Sequence, residues 1–445
     1  MLKKLPIICV LFTLSSVYAN AAQSLIETYE QASQNDPTLQ MAQLAVLSAQ
    51  QDVTNGLSNV LPNVSASASY GIGNDASMDG EESLALDSDF QAINGSLDIT
   101  QNVFALAAFT AYEAVKVNAS IEDIEAAYAE QDLMVRVAEA YLNALRAKDA
   151  LDVAKAQLAA VERQFEQTEQ RYDVGLVPIT DVLDATATLD ETKVSLIRAN
   201  SSYNIALQNI SITTGQSPDG ILDISDSIPI TQLDESLQEQ WIELAITQHP
   251  DIIVAERGLQ VGQLTARALA QQYRLPTVGA SISFDYDDIY NYDYYNNDDE
   301  DNWSVAVGVQ VSMDLFTGGA NNSAIAKQGI QNNIVEQQIE LLKRGKAVTV
   351  ANLFNSVQAD AQNVAAQQQA LKSRQSALQA TEVGYDVGTR NIVEVLDSQL
   401  AVFSAQNNLN NARYDYLIDL LNLKKETGLL AFQDLASIDQ YLIAE

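Results

Sequence analysis

The sequence predicts an α+β membrane protein of two similar halves, each contributing a pair of amphipathic strands and a very long helical hairpin. Three observations carry this. Matching residues recur at one long offset; the stretch from Ala105 to Val174 contains neither Gly nor Pro; and four short segments alternate strictly between apolar and polar residues. The offset is read from Pro37 and Pro250, Leu61-Pro62 and Leu275-Pro276, Phe104 and Phe316, Tyr172 and Tyr385, and Gly215 and Gly428, which stand 212 to 214 residues apart. So long a period is no solenoid repeat; it describes two halves, 22–215 and 216–429, of one internally pseudo-symmetric object. Residues 430–445 form a C-terminal segment with no recognisable role.

The chain opens with Lys3 and Lys4, an apolar run from Leu5 to Val17 and Ala19-Asn20-Ala21, the layout of a cleavable export signal over 1–21. A lipid anchor at Cys9 is the rival reading, but Cys9 lies inside the apolar run. As Cys9 is the only cysteine, the exported chain would carry no thiol, which excludes disulfides, thiolate metal sites and cysteine nucleophiles. No later apolar run reaches the roughly 18 residues of a membrane-spanning helix, so the chain is either soluble or crosses a membrane as strands. With 24 Lys+Arg against 59 Asp+Glu the formal charge is -35, which excludes nucleic-acid binding. Such acidity serves solubility or lines a negative passage.

The strands are expected at about 63–71 and 90–101, then at about 276–287 and 303–313. In the first pair Val64, Ala66, Ala68 and Tyr70 alternate with serines, and Ile93, Gly95, Leu97 and Ile99 alternate with Asn94, Ser96, Asp98 and Thr100. In the second, Val278, Ala280, Ile282, Phe284 and Tyr286 alternate with polar or small residues, as do Trp303, Val305, Val307, Val309 and Val311. One apolar and one polar face suits a membrane barrel with a wet lumen, and equally a soluble sandwich. The connection within each pair has no Lys or Arg: Asp75, Asp79, Glu81, Glu82, Asp87 and Asp89 in one, and Asp287, Asp288, Asp293, Asp298, Asp299, Glu300 and Asp301 in the other. Tyr286, Tyr290, Tyr292, Tyr294, Tyr295 and Trp303 crowd the ends of the second pair, as aromatics do at a lipid headgroup boundary, which favours the barrel and makes these loops extracellular. Carboxylates also suit calcium, but no EF-type spacing is present. Four strands cannot close a pore, since the smallest such barrels use about eight, so the chain must oligomerise.

The helical hairpins are expected over about 105–214 and 318–427. A continuous helix from Ala105 to Val174 would run for about 100 Å, too long for a compact domain, and must pack along partners. Its returning partner carries Val182, Leu189, Leu196, Tyr203 and Ile210 at seven-residue spacing, and the second half carries Val395, Val402, Leu409, Tyr416 and Leu423. Ala185, Ala199, Ser398, Ala405 and Ala412, three residues on, let neighbours approach closely. A strict seven-residue column favours supercoiled packing.

Arg171-Tyr172-Asp173-Val174-Gly175-Leu176-Val177 running into Ile179-Thr180-Asp181-Val182, and Gly384-Tyr385-Asp386-Val387-Gly388-Thr389-Arg390 running into Ile392-Val393-Glu394-Val395-Leu396-Asp397, resemble the TolC family of outer-membrane efflux proteins. Ala412-Arg413-Tyr414 with Tyr416-Leu417-Ile418 is also similar to that family, and the resemblance spans the chain after its signal. It implies a homotrimer in the Gram-negative outer membrane. Its four strands per subunit make a shared twelve-stranded barrel, continued by a helical periplasmic tunnel. The implied function is an exit duct of tripartite efflux pumps or type I secretion, passively exporting drugs, small molecules or proteins.

The resemblance further implies partners: a periplasmic adaptor and an inner-membrane RND or ABC pump, besides outer-membrane lipid. The adaptor would meet the turns at Val174, Gly175, Leu176, Val387, Gly388 and Thr389. A latch would use Thr180 and Asp181 on one hairpin, Tyr385 and Arg390 on the other, and Gln164 with Glu382. Asp181 would also cap the helix after Pro178. A periplasmic constriction falls on Glu394 and Asp397, three apart on one helical face, where threefold symmetry would crowd six carboxylates, raise some of their pKa values and favour cations. Glu394 stands where members of the family commonly carry Asp, which bears on the width of the ring. No cofactor, metal or catalytic residue is expected: the chain has one histidine, His249 beside Pro250, and no phosphate loop or His-Glu metal motif. The alternative is a periplasmic or surface coiled-coil protein that binds partners without transporting anything.

Overall fold

The computed structural model describes residues 22–76, 86–225, 227–292 and 299–443. The export signal expected at 1–21 and the acidic connections at 77–85 and 293–298 lie outside them. Among the described residues the order is α1 (Leu25–Asn35), α2 (Pro37–Ser58), β1 (Asn63–Ala76), β2 (Leu86–Phe104), α3 (Leu106–Asp173), α4 (Ile179–Thr214), β3 (Asp223–Ile224), α5 (Gln238–Gln248), α6 (Pro250–Arg274), β4 (Thr277–Tyr292), β5 (Asp299–Ser312), α7 (Ala320–Asp386), α8 (Ile392–Glu426), α9 (Phe432–Asp439) and β6 (Leu442–Ile443). The described residues form two compact units, one within 1–39, 130–242 and 349–445, the other within 40–129 and 243–348.

The second unit holds one antiparallel sheet in the order β1-β2-β4-β5. Its register places Ala66, Leu97, Phe284 and Val305 in one cross-strand row and Ser67, Ser96, Asp285 and Ser304 in the next. With a side-chain period of two, the first row lies on the apolar face and the second on the polar face. The Ser67 and Ser96 hydroxyls meet at 2.9 Å on the polar side. On the apolar side Trp303, Val307 and Val309 stay exposed, Trp303 and Val307 at 76 % each. The strands extend beyond the spans expected from alternation, because pairing continues past the residues that alternate: β4 runs on to Tyr292 and β2 begins at Leu86. In the same unit His249 caps α6, its Nδ1 accepting from the Asp251 N–H at 3.0 Å, and its buried ring meets Tyr128 edge-on. Lys346 and Lys343 tie α7 to α6 through Asp251 and Glu256.

The first unit is helical. Both seven-residue columns face inward: Leu189 and Ile210 on α4, and Val395, Leu409, Tyr416 and Leu423 on α8, are buried. Ala185, Ala405 and Ala412 are buried beside them, as small residues in a close-packed seam should be. Ile197, Ile205 and Ile212 on another face of α4 remain exposed. The C-terminal segment has a defined place. α9 buries Leu435 and Ile438, Phe432 lies against Tyr29 of α1, and β6 pairs antiparallel with β3. Asp439 accepts from the Ile26 N–H at 3.1 Å, joining residues 413 positions apart.

Candidate functional site at the two hairpin turns

α3 turns into α4, and α7 into α8, through two closely similar loops. Gly175 and Gly388 hold φ at 79° and 81°, a left-handed conformation that side chains with a Cβ resist. In each loop the residue after this glycine donates its N–H back to the helix at 2.8 Å, Leu176 to the Arg171 carbonyl and Thr389 to the Gly384 carbonyl. This satisfies helix-end acceptors and fixes the turn. The outer residues are open to solvent, with Val174 at 70 %, Leu176 at 73 % and Val387 at 69 % exposed, and Gly175, Gly388 and Thr389 exposed beside them. Behind the turns, Ala185 of α4 and Ile392, Val395 and Leu396 of α8 form a small buried cluster, against which Phe165 of α3 and Tyr385 of α7 pack. All four helices are thereby held together at one end.

The two hairpins start their second helices differently. Asn391 caps α8 by accepting from the Glu394 N–H at 2.9 Å. α4 begins at Pro178 with no side-chain cap, which corrects the expectation that Asp181 caps this helix. Asp181 occupies the third helical position, from which a carboxylate reaches back to the N–H of the cap residue; proline has none. Asp181 instead lies 3.4 Å from its neighbour, the Thr180 hydroxyl.

The residues expected to form a constriction and a latch all lie at this end of the unit. Glu394 and Asp397 sit in the first two turns of α8, Asp397 exposed and Glu394 half-buried. Arg390 donates to Glu394 at 2.6 Å, so its charge is engaged within its own hairpin. The stem of Arg390 passes so close to Gly384 that a Cβ there would fall 2.7 Å from the Arg390 Cγ. Among the described residues no hydrogen bond joins Thr180 or Asp181 to Tyr385 or Arg390 within one chain. The Tyr385 hydroxyl and the Gln164 amide nitrogen are buried without a hydrogen-bond partner, and Glu382 is exposed. Beside the turns, Arg171 makes a polar contact that crosses between the hairpins. Its guanidinium lies 3.0 Å from Asp386 and 4.5 Å above the centre of the Tyr385 ring. Arg171 stands in the first turn motif without a role evident from sequence; its signal is the exchange of Arg for Gly384 at matching positions of the two halves.

The helical hairpins and the half-apolar sheet define an outer-membrane channel protein. The chain belongs to the outer membrane efflux protein family, whose model matches residues 28–216 and 241–429. It is 33 % identical to the outer membrane protein TolC of Vibrio cholerae over 96 % of this chain and 95 % of that one. To TolC of Escherichia coli it is 30 % identical, covering 99 % and 90 %. The alkaline protease secretion protein AprF of Pseudomonas aeruginosa is 26 % identical over 78 % of this chain and 72 % of its own. In fold it resembles CusC, with a TM-score of 0.77 at 18 % identity over 93 % and 95 % of the chains, and VceC of Vibrio cholerae, at 0.73 and 20 % over 91 % and 96 %. The family is one of channels rather than enzymes. No helix among the described residues is long and apolar enough to cross a membrane.

Proposed function

We propose that three copies of this chain form an exit duct in the Gram-negative outer membrane, serving efflux and type I secretion. The observation that carries the reading is the sheet: its outer strands β1 and β5 each pair on one side only among the described residues, and its apolar face is exposed in the single chain. Lipid tolerates neither an open edge nor an unpaired backbone group, so the sheet must be continued by other copies. Three copies give twelve strands, with Ser, Asn and Asp rows lining the lumen and Trp303, Val305, Val307 and Val309 meeting lipid. The order of elements is the same in both halves, a broken helix, two strands and a long helical hairpin, which supports a two-fold internal repeat. The exposed apolar residues at the turns, Val174, Leu176 and Val387, supply the contact surface for a periplasmic adaptor, which delivers cargo from an inner-membrane RND or ABC pump. A coiled-coil binding protein without transport would leave a sheet of this kind without purpose.

In the trimer Glu394 and Asp397 form the periplasmic constriction. Thr180 and Asp181 on one hairpin, Tyr385 and Arg390 on the other, and Gln164 with Glu382 act as its latch. The test is single-channel conductance in planar bilayers. Wild-type pores are expected to pass cations and to be blocked by multivalent cations, and Glu394→Ala/Asp397→Ala to lose that block. Pores of unchanged block in this variant would move the constriction elsewhere, and absence of pores from folded protein would remove the channel reading.

A further inference from the structure

We propose that Arg171 is a positioning residue of the gate: it clasps the two hairpins of one chain together through Asp386 and Tyr385, and the hairpins part only when this clasp releases. The inference rests on reading the turns as the closed end of a channel. Asp386 is the last residue of α7, where the helix dipole places its negative end, and the last turn of α7 contains no basic residue. A carboxylate there calls for a cation from elsewhere. α3 supplies it: Arg171 lies in the last turn of that helix, and its Nη2 stands 3.0 Å from the Asp386 Oδ1.

The same guanidinium lies over the Tyr385 ring at 4.5 Å, so one side chain of α3 holds two consecutive residues of α7. Its backbone is committed at the same time. The Arg171 carbonyl accepts the Leu176 N–H at 2.8 Å and closes the first turn, which fixes where the side chain sets out. Tyr385 is in turn seated on the buried cluster of Ile392, Val395 and Leu396. Pulling Arg171 away therefore uncovers the ring that packs on the core joining the four helices.

Within one chain the other arginine of this region does not cross between the hairpins. Arg390 spends its charge on Glu394 four residues on, and its stem fills the space left by Gly384. Gly384 is the counterpart of Arg171 at the repeat offset, so the two turns divide the work: one arginine crosses between hairpins and one stays within its own. A single exposed ion pair is weak, but three clasps released together multiply their effects, and the expected gain in opening is on the order of tenfold.

The experiment is bilayer conductance of purified wild type, Arg171→Ala, Asp386→Ala, the exchange Arg171→Asp/Asp386→Arg, and Arg390→Ser, with far-UV circular dichroism confirming equal helix content. Arg171→Ala and Asp386→Ala should each raise mean conductance or open time about tenfold, and the exchange should restore most of the closed state. Opening of the wild type should also rise with salt, and that dependence should flatten in Arg171→Ala. If Arg390→Ser opens the pore while Arg171→Ala does not, the gate reading stands and the clasp is overturned. Single variants that open without rescue by the exchange also overturn it. Absence of pores from every folded protein would remove the channel reading, and the clasp with it.

Discussion

Asp36 and Asp360 belong to the same helical unit and meet opposite electrostatic environments. The Asp36 carboxylate is buried and takes both terminal nitrogens of Arg136, at 2.9 and 3.0 Å. These hydrogen bonds hold it below the usual carboxylate range. Among the described residues Asp360 has no such cation. Burial pushes its pKa up to about 6, helped by Asp419 and Asp415 of α8. Asp419 is raised too, by burial first and then by Asp415 and Glu139, although its hydrogen bond with Asp360 pulls it down. Arg146 pairs with Asp415 and the Asn422 amide with Glu139. The sign follows from which state holds the proton: between about pH 4 and pH 6 the folded chain keeps a proton on Asp360 that the unfolded chain releases. Stability therefore falls as pH rises through this window. Asp360→Asn is expected to unfold at a higher temperature than wild type at pH 7.5 and to lose this part of the slope, as a series of thermal melts from pH 4 to 8 would show.

At the scale of the element, α4 presents two apolar stripes with different destinies. Leu189 and Ile210 face their own chain, whereas Ile197, Ile205 and Ile212 face outward and find nothing to cover them in one copy. Replacing Leu409, which is buried with Val364 and Ala412, by Ala is expected to cost about 3 kcal/mol in denaturant unfolding. Ile197→Ser/Ile205→Ser/Ile212→Ser is instead expected to keep the helix content and to lose the trimer on unheated gels. The inward stripe was legible in the sequence because a seven-residue column over several turns leaves few alternatives, and the strands were legible through their alternation. Strand ends were not: β2 and β4 continue into acidic and Tyr-rich stretches with no alternating pattern, where pairing alone extends them. β3 and β6 were not either, since two residues carry no periodicity. At the site the turn glycines announced themselves, but the partners of the charged residues did not. A sequence cannot show that Arg390 folds onto Glu394, or that Arg171 crosses to the next hairpin, because both outcomes satisfy the same charges.

For the molecule as a whole, the tie between the first and last described elements sets an order of events. Asp439 binds the backbone of Ile26, Tyr441 accepts from Ser225, and Phe432 packs on Tyr29, so the helical unit joins residues from opposite ends of the described chain. Removing residues 430–445 exposes α1 and β3 together, and the truncated chain is expected to be cut by added trypsin within the first unit under conditions where the full chain resists. Contacts of such long separation are slow to form, because the closure entropy of nearly the whole chain precedes any gain from them. During synthesis α1 and β3 thus wait without their cover until residues 430–443 have been made and have docked. For a protein whose apolar sheet and helix stripes must not find wrong partners in the meantime, that delay defines an interval in which a holding chaperone is needed.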